Sequence, residues 1–294
     1  MEGLCLAVDI GGTKMAAGLV DRQGSVGVHQ RVPTPATNDA EELFGVLAAL
    51  VAAVQSSAPA PLEVCGVGCG GPMTGHGDAV SPLNIAAWRD FPLRRRLAER
   101  TGLPTAVDND AKALALAEGW TGAARGVRDY LAMVVSTGVG GGIVLDGRLL
   151  DGRDGNAGHI GHVVVEPDGR RCACGGRGCL EAEASGTAIR EITGGDPAMA
   201  PASVVARTGT LVGRAVASVA NLLDLRLALV AGSVALGFGR PFFDAAQAEV
   251  AERARLAFSV GTEIRPAGLG PDGPLVGAAA VGWQSLARPR QGSG

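Results

Sequence analysis

The sequence predicts a duplicated two-domain α/β fold in which a strand, a glycine turn and a second strand occur twice, with a cleft between the halves. Leu4 to Val8 is an apolar run that ends in Asp9-Ile10-Gly11-Gly12-Thr13-Lys14 and resumes as a second apolar run, Met15 to Val20. The same grammar returns as a strand over Leu131 to Val135, a glycine turn over Thr137 to Gly142, and a strand over Ile143 to Leu145. The chain has 294 residues and 47% of them are apolar, which is enough material for two cores of ordinary size.

The remaining elements follow in order. Asp21 to Gly24 supplies a hairpin turn before a strand over Ser25 to Val32. Glu41 to Gln55 places apolar residues at helical spacing, with Asn38 or Asp39 as N-cap. Val64 to Val67 and Thr105 to Val107 read as buried strands, and Asp108-Asn109-Asp110 opens a helix over Ala111 to Trp120. Helices are predicted near Ala202 to Leu222, Pro241 to Leu256 and Leu275 to Leu286, with a strand at Leu227 to Ala231. The expected domains are residues 1–117 together with a C-terminal helix at about 274–288, and residues 118–273. Arg288 to Gly294 reads as a polar tail.

Composition narrows the function classes. A net charge of −3 gives no general attraction to nucleic acid or to an acidic membrane surface. Apolar stretches are interrupted by glycine and charge, and Met1 to Ile10 is short and carries Asp9, so neither a membrane span nor a signal peptide is expected. Cys5, Cys65 and Cys69 lie in strand-like runs and read as buried free thiols, consistent with a cytoplasmic protein. Lys14 and Lys112 are the only lysines in a chain rich in arginine. Lys112, in the predicted helix, reads as solvent-facing.

The two glycine turns carry the first chemical signal. In Asp9 to Lys14, backbone N–H groups converge where no side chain blocks an anion, Lys14 adds positive charge, and Asp9 is placed to hold Mg²⁺. Read alone, this segment is equally an ordinary hairpin. The second turn, Ser136 to Gly142 with Thr137 and Gly138, makes a pair of the kind that gripping a triphosphate from both sides requires. Ala231-Gly232-Ser233, after a third strand, suits packing beside an adenine and equally a plain turn. Gly66 to Gly71 matches the dinucleotide pattern G-x-G-x-x-G, but Pro72 and a loop through Pro82 follow where that fold needs a helix.

His162, Cys172, Cys174 and Cys179 bring one imidazole and three thiolates into a glycine-rich stretch. Such a set saturates tetrahedral Zn²⁺ with no open position, so the expected site is structural; the alternative is a group of free cysteines.

Asp9-Ile-Gly-Gly-Thr-Lys14, Gly-Gly-Pro72, Asn84 to Leu93, Asp108-Asn-Asp-Ala111 and the stretch from Gly161-His162 to Glu181 occur in that order, and together they resemble the ROK family of sugar kinases and repressors. The resemblance implies an actin-like, hexokinase-like (ribonuclease H-like) fold that uses ATP and Mg²⁺ and closes over a sugar. Repressor members carry a helix-turn-helix before the first glycine turn. Here that turn begins at residue 9, which favours the kinase branch. By the same resemblance Asp110 is the catalytic base, where an N-cap role is the alternative. Asn84, Asn109, Glu181, His162 and the backbone of Gly71 and Pro72 contact the sugar. Asp9, Gly11, Gly12, Thr13, Lys14, Thr137, Gly138 and Gly232 serve the nucleotide.

One departure bears on the substrate. Family glucokinases read Gly-Glu-x-Gly-His where this chain reads Gly158-His159-Ile160-Gly161-His162. A carboxylate only accepts hydrogen bonds, whereas a neutral imidazole offers one donor and one acceptor. The expected reaction is phosphorylation of a hexose at its primary (6-) hydroxyl. The alternatives are a modified sugar, such as kanosamine, N-acetylmannosamine or a C7-cyclitol, and, from other classes, a non-catalytic sugar sensor or another actin-like ATPase. Expected partners are the sugar and further copies of the chain, as a homodimer or homotetramer, with no nucleic acid and no membrane.

Overall fold

The repeated grammar becomes two sheets of the same topology in the computed structural model, which describes residues 3–287. In the first, β1 (Leu4–Ile10), β2 (Lys14–Val20) and β3 (Val26–Pro33) form an antiparallel meander; β4 (Leu62–Cys69) and β7 (Thr105–Asn109) extend it in parallel from β1, giving the order β3-β2-β1-β4-β7. In the second, β8 (Tyr130–Val135), β9 (Val139–Leu145) and β10 (Arg148–Leu149) form the meander; β11 (Leu227–Ala231) and β12 (Glu263–Pro266) extend it in parallel from β8. A small hairpin, β5 (Met73–Thr74) and β6 (Ala79–Val80), follows β4.

The chain divides into two units. One holds the residues up to Thr121, the segment Asp151–Ala157 and the chain from Pro271; the other holds Gly122–Leu150 and Gly158–Gly270. The expected second domain ran without interruption through 151–157, whereas those seven residues pack with the first unit. The predicted tail, Arg288 to Gly294, lies outside the described residues.

In the first unit, α1 (Ala40–Ser56) starts at Asp39, whose Oδ1 accepts the N–H groups of Glu41 (2.8 Å) and Glu42 (3.3 Å), so the second of the two candidate caps is used. Its Leu43, Leu47, Val51 and Val54 meet Leu6, Val8 and Ile10 on one face of the sheet, beside α2 (Leu93–Thr101). On the other face lie α3 (Asp110–Trp120) and α9 (Gly273–Ala287). A Cβ on Gly66 would stand 2.0 Å from the Ala278 carbonyl oxygen. This glycine of the dinucleotide-like pattern therefore admits α9 against β4, a packing role that explains the match without a nucleotide.

Trp88 is 0% exposed and stacks on Phe91 with ring centroids 4.6 Å apart, and Arg89 Nη1 donates to the carbonyls of Pro82 and Ile85. The stretch Asn84 to Leu93 is thus a core plug that leaves Asn84 exposed.

In the second unit, α6 (Ala202–Leu223) and α8 (Arg240–Arg253) share a core with β8 and β11, where Leu211, Val212, Phe242 and Ala246 meet Leu131, Met133 and Val230. Two short helices, α4 (Leu180–Ala184) and α5 (Gly186–Thr193), follow the cysteine-rich stretch, and α7 (Ser233–Phe238) follows β11. No helix among the described residues is long and apolar enough to cross a membrane.

Candidate active site

In the first unit the strand register sets Asp9, Gly68 and Asp108 side by side across β1, β4 and β7. A Cβ on Gly68 would stand 3.7 Å from Asp110 Cα and 3.9 Å from Asp9 Oδ1, so the two predicted acidic groups converge over a residue without a side chain. Burial first, and then the charge of Asp110, pushes the Asp9 carboxyl up to about 7, against the opposing pull of Lys14 and Arg31. Asp110 is an exposed side chain with protein packed densely around it. Water reaches it from one side, while the desolvation on its other sides moves its carboxyl above the ordinary range. Hydrogen bonding from the Ala111 N–H, at 2.8 Å from Asp110 Oδ1, opposes that rise.

The helix cap is Asn109, whose Oδ1 accepts the Ala111 N–H at 3.0 Å, and Asp110 is the first residue of α3. The capping alternative for Asp110 therefore belongs to its neighbour. Asn109 keeps its amide N–H groups for another acceptor.

The turn from Gly11 to Thr13 is closed by the Gly11 N–H donating to Lys14 O at 3.0 Å, and Thr34 holds it from behind. Thr34 Oγ1 donates to Gly11 O at 2.7 Å, and its N–H donates to Thr13 O at 3.1 Å. With these carbonyls drawn back, the N–H groups of Gly12 and Thr13 find no acceptor among the described residues. They are a pair of adjacent donors next to Lys14, the arrangement that an anion site requires. A Cβ on Gly12 would lie 2.9 Å from Asn84 Nδ2, so glycine is what allows Asn84 to lie over the turn. Gly71 and Pro72 each already accept one backbone N–H, from Leu83 and Ser81, and keep a second carbonyl lone pair.

The second unit repeats the device. The Ser136 N–H donates to Gly138 O at 2.9 Å, and Thr187 donates twice to Thr137 O, leaving the N–H groups of Thr137 and Gly138 without an acceptor among the described residues. Ser233, after Gly232, meets Ser136 through their hydroxyls at 2.9 Å. Gly232 has φ +101° and lies so close to β8 that a Cβ would stand 2.3 Å from Val135 O.

The turn is shorter than predicted: Gly140 to Gly142 lie within β9. Their lack of side chains serves packing, since a Cβ on Gly141 would lie 2.9 Å from Ile160 Cγ2 and one on Gly161 would lie 2.2 Å from Val139 O. The glycine run thus seats the 3-10 turn Ile160–His162, and the turn with unengaged N–H donors is residues 136–138 alone.

His162, Cys172, Cys174 and Cys179 present one ligand atom each, all within 4.8 Å of one another. The Sγ atoms of Cys174 and Cys179 are 3.8 Å apart, and Cys172 Sγ is 3.8 Å from His162 Nδ1. Tetrahedral zinc with Zn–S bonds of about 2.3 Å sets its sulfurs roughly 3.8 Å apart, so the four residues fit the ion. The cysteines are unbridged. His162 turns Nδ1 to the cluster and Nε2 away from it. His159 precedes the same turn, its ring 6.0 Å from that of His162. Glu181, on α4 two residues past Cys179, bonds back to β9: its Oε2 accepts the Val139 N–H at 2.9 Å.

Lys112 corrects the sequence reading outright. It is 1% exposed, and its Nζ lies 3.0 Å from Asp108 Oδ1, 2.9 Å from Asp151 Oδ1 and 2.9 Å from Gly155 O. Burial follows from the two carboxylates, one on the neighbouring strand end and the other in the segment 151–157 that packs over α3. Asp151 and Asn156 went unnoticed in the sequence, and Asp108 was read only as part of the motif that opens α3. The scarcity of lysine was the only signal pointing to this cluster.

The ROK family model matches residues 5–284. The N-acetylmannosamine kinase of Escherichia fergusonii is 38% identical over 249 residues, covering 80% of this chain and 84% of that one; the enzyme of the same name from Citrobacter koseri is 39% identical over the same length. Among solved structures, the ROK hexokinase of Thermus thermophilus superposes with a TM-score of 0.85 at 34% identity, covering 97% of this chain and 99% of that one. The ROK glucokinase of Streptomyces griseus, in complex with glucose and AMPPNP, superposes with a TM-score of 0.84 at 31% identity, covering 96% and 100%. The duplicated sheet is accordingly the two-domain fold of these sugar kinases, and this chain belongs to the ROK family.

Proposed function

We propose that this chain transfers the γ-phosphoryl group of ATP to the primary hydroxyl of an N-acylated amino hexose, with N-acetylmannosamine as the foremost candidate. The coarser statement stands on family membership and on relatives that are kinases: the chain is an ATP-dependent sugar kinase. His159 carries the finer one. An N-acetyl carbonyl oxygen only accepts hydrogen bonds, and an acceptor-only carboxylate at this position would repel it. An imidazole N–H donates a hydrogen bond to such an oxygen, which a carboxylate cannot do. The similar N-acetylmannosamine kinases support the same class.

In this reading the Asp110 carboxylate takes the proton of the attacking hydroxyl as the phosphoryl group moves in line, and its raised pKa makes it a better acceptor for that proton. The N–H pairs of Gly12–Thr13 and Thr137–Gly138, with Lys14, bind phosphate oxygens. Asp9 would hold Mg²⁺, because a cation there relieves both its burial and its closeness to Asp110. When bound, that ion neutralises charge on the phosphates. Asn84, Asn109, the Gly71–Pro72 backbone, His159, His162 Nε2 and Glu181 contact the sugar, and Gly232 lies against the adenine.

The test is sugar-dependent ADP release at fixed Mg-ATP with N-acetylmannosamine, mannose, glucose and kanosamine, using Asp110→Asn as the inactive control. N-acetylmannosamine is expected to give a kcat/KM about tenfold or more above glucose, equivalent to ~1.4 kcal/mol, and His159→Glu to reverse the order. Preference for glucose, unchanged by His159→Glu, would establish a glucokinase instead. That second reading draws on the similar hexokinase and glucokinase structures.

A further inference from the structure

Lys112 spends a buried charge where an apolar side chain would fill the same space. Its three ammonium protons have three acceptors: Asp108 Oδ1 (3.0 Å), Asp151 Oδ1 (2.9 Å) and Gly155 O (2.9 Å). Replacing a buried ionic cluster by apolar groups is often neutral for stability, so stability alone gives little reason to keep one. What the cluster does is join two pieces of backbone.

On one side, Asp108 also accepts the Asn109 N–H at 2.7 Å. Asn109 caps α3 through Ala111 N–H, and the same N–H meets Asp110 Oδ1. The ammonium thus fixes the strand-to-helix junction that aims Asp110. On the other side, the segment 151–157 is closed on itself by the Ala157 N–H donating to Asp151 O at 3.0 Å. From it Asn156 clasps Met73 twice: Oδ1 accepts the Met73 N–H at 3.0 Å, and Nδ2 donates to Met73 O at 2.9 Å. Met73 directly follows Gly71-Pro72. Gly155 packs on His76 of the same hairpin, where a Cβ would come within 3.3 Å of Nδ1.

We infer that Lys112 is a positioning residue for the acceptor sugar. Its ammonium locks the segment 151–157 to the junction bearing Asp110, and so holds the Gly71–Met73 backbone and the Asp110 carboxylate at a fixed spacing. The inference rests on reading Gly71-Pro72 and Asp110 as sugar-contacting groups. It adds residues outside the contact set, Lys112, Asp151 and Asn156, whose loss acts on the sugar and leaves the nucleotide alone.

The experiment measures kcat and both Michaelis constants, together with the melting temperature, on full-length variants. Lys112→Met is expected to raise the sugar KM at least tenfold and to lower kcat, with the Mg-ATP KM changed less than twofold. Because that variant strands two carboxylates, Lys112→Met/Asp108→Asn/Asp151→Asn is made beside it. The triple variant should recover the wild-type melting temperature while keeping the raised sugar KM. Asn156→Leu, which alters no charge, should raise the sugar KM in the same direction. Asp151→Asn, which keeps an acceptor oxygen for Lys112, should stay within about threefold of wild type on every parameter. Recovery of both melting temperature and sugar KM in the triple variant would make Lys112 a purely structural residue and overturn the inference. So would equal rises in the sugar and Mg-ATP constants. Asp110→Asn separates this from the reading beneath it: if that variant keeps its kcat, the assignment of the base fails, whatever the Lys112 series shows.

Discussion

Glu181 Oε2 accepts the Val139 N–H at 2.9 Å, and a Cβ on Gly138 would come within 2.8 Å of the same oxygen. The carboxylate braces the turn that exposes the Thr137 and Gly138 N–H groups, and in the proposed function its Oε1 meets a sugar hydroxyl. Glu181→Gln keeps an acceptor for Val139 and is expected to raise the sugar KM about tenfold with little effect on Mg-ATP. Glu181→Ala removes the brace as well and should raise both constants, the loss of one hydrogen bond to a charged group being worth ~1.5–3 kcal/mol. Steady-state kinetics on the two variants separate the roles.

Cys179 is the residue before α4, so the cluster at His162, Cys172, Cys174 and Cys179 fixes the helix that carries Glu181. Removal of zinc by a chelator is expected to cost a few kcal/mol and to lower the melting temperature by about 10 °C. The Mg-ATP KM should rise with it, through the loosened Glu181 brace. Metal analysis should return one zinc per chain, and re-addition should restore the melting temperature. An unchanged melting temperature in the chelated protein would remove the structural role.

The carboxyl of Asp9 ordinarily titrates at 3.8 and in the folded chain at about 7, so between these values the folded state holds a proton that the unfolded state has lost. Stability therefore falls as pH rises through this window, because ionising Asp9 in the folded chain costs desolvation of a buried carboxyl first and then a second negative charge beside Asp110. Thermal melts without divalent cation should show a melting temperature that declines from pH 4 to pH 7, with a shallower decline in Asp9→Asn.

As the proposed base, Asp110 must be ionised to accept a proton, and desolvation by the protein packed around it moves its pKa upward. Activity is then lost as pH falls through that raised value. The acid limb of kcat/KM should lie above the ordinary aspartate range, and Asp110→Asn should lower kcat by about 10²–10⁴. A pH–rate profile with an acid limb at the ordinary aspartate value would contradict the assignment.

Trp88 fills the core of the first unit against Phe91 and makes no part of the binding surface. Trp88→Ala is expected to cost about 3–5 kcal/mol of unfolding free energy. Denaturant unfolding would show it as a lower midpoint. Trp88→Phe should recover much of the loss.

The sequence by itself determined what is written within a few consecutive residues. Strand periodicity and glycine turns announced the first meander and the β8–β9 hairpin, Asp39 was one of the two caps named for α1, and the Cys and His types between 162 and 179 suffice for a tetrahedral ion. Such signals are local because turn geometry, capping and ligand chemistry depend on the residue and its immediate neighbours. Tertiary structure decided which remote residue stands opposite. Lys112 looked like a solvated helix lysine until Asp151, thirty-nine positions on, met its ammonium. Gly140 to Gly142 looked like a phosphate loop until the 3-10 turn at Ile160 was found lying on them. Asn84 to Leu93 was read as a site motif, and its bulk proved to be a hydrophobic plug. Whether a side chain is buried, and whether a glycine serves an anion or a neighbouring backbone, is set by the partner across the fold. No spacing along the chain encodes that partner.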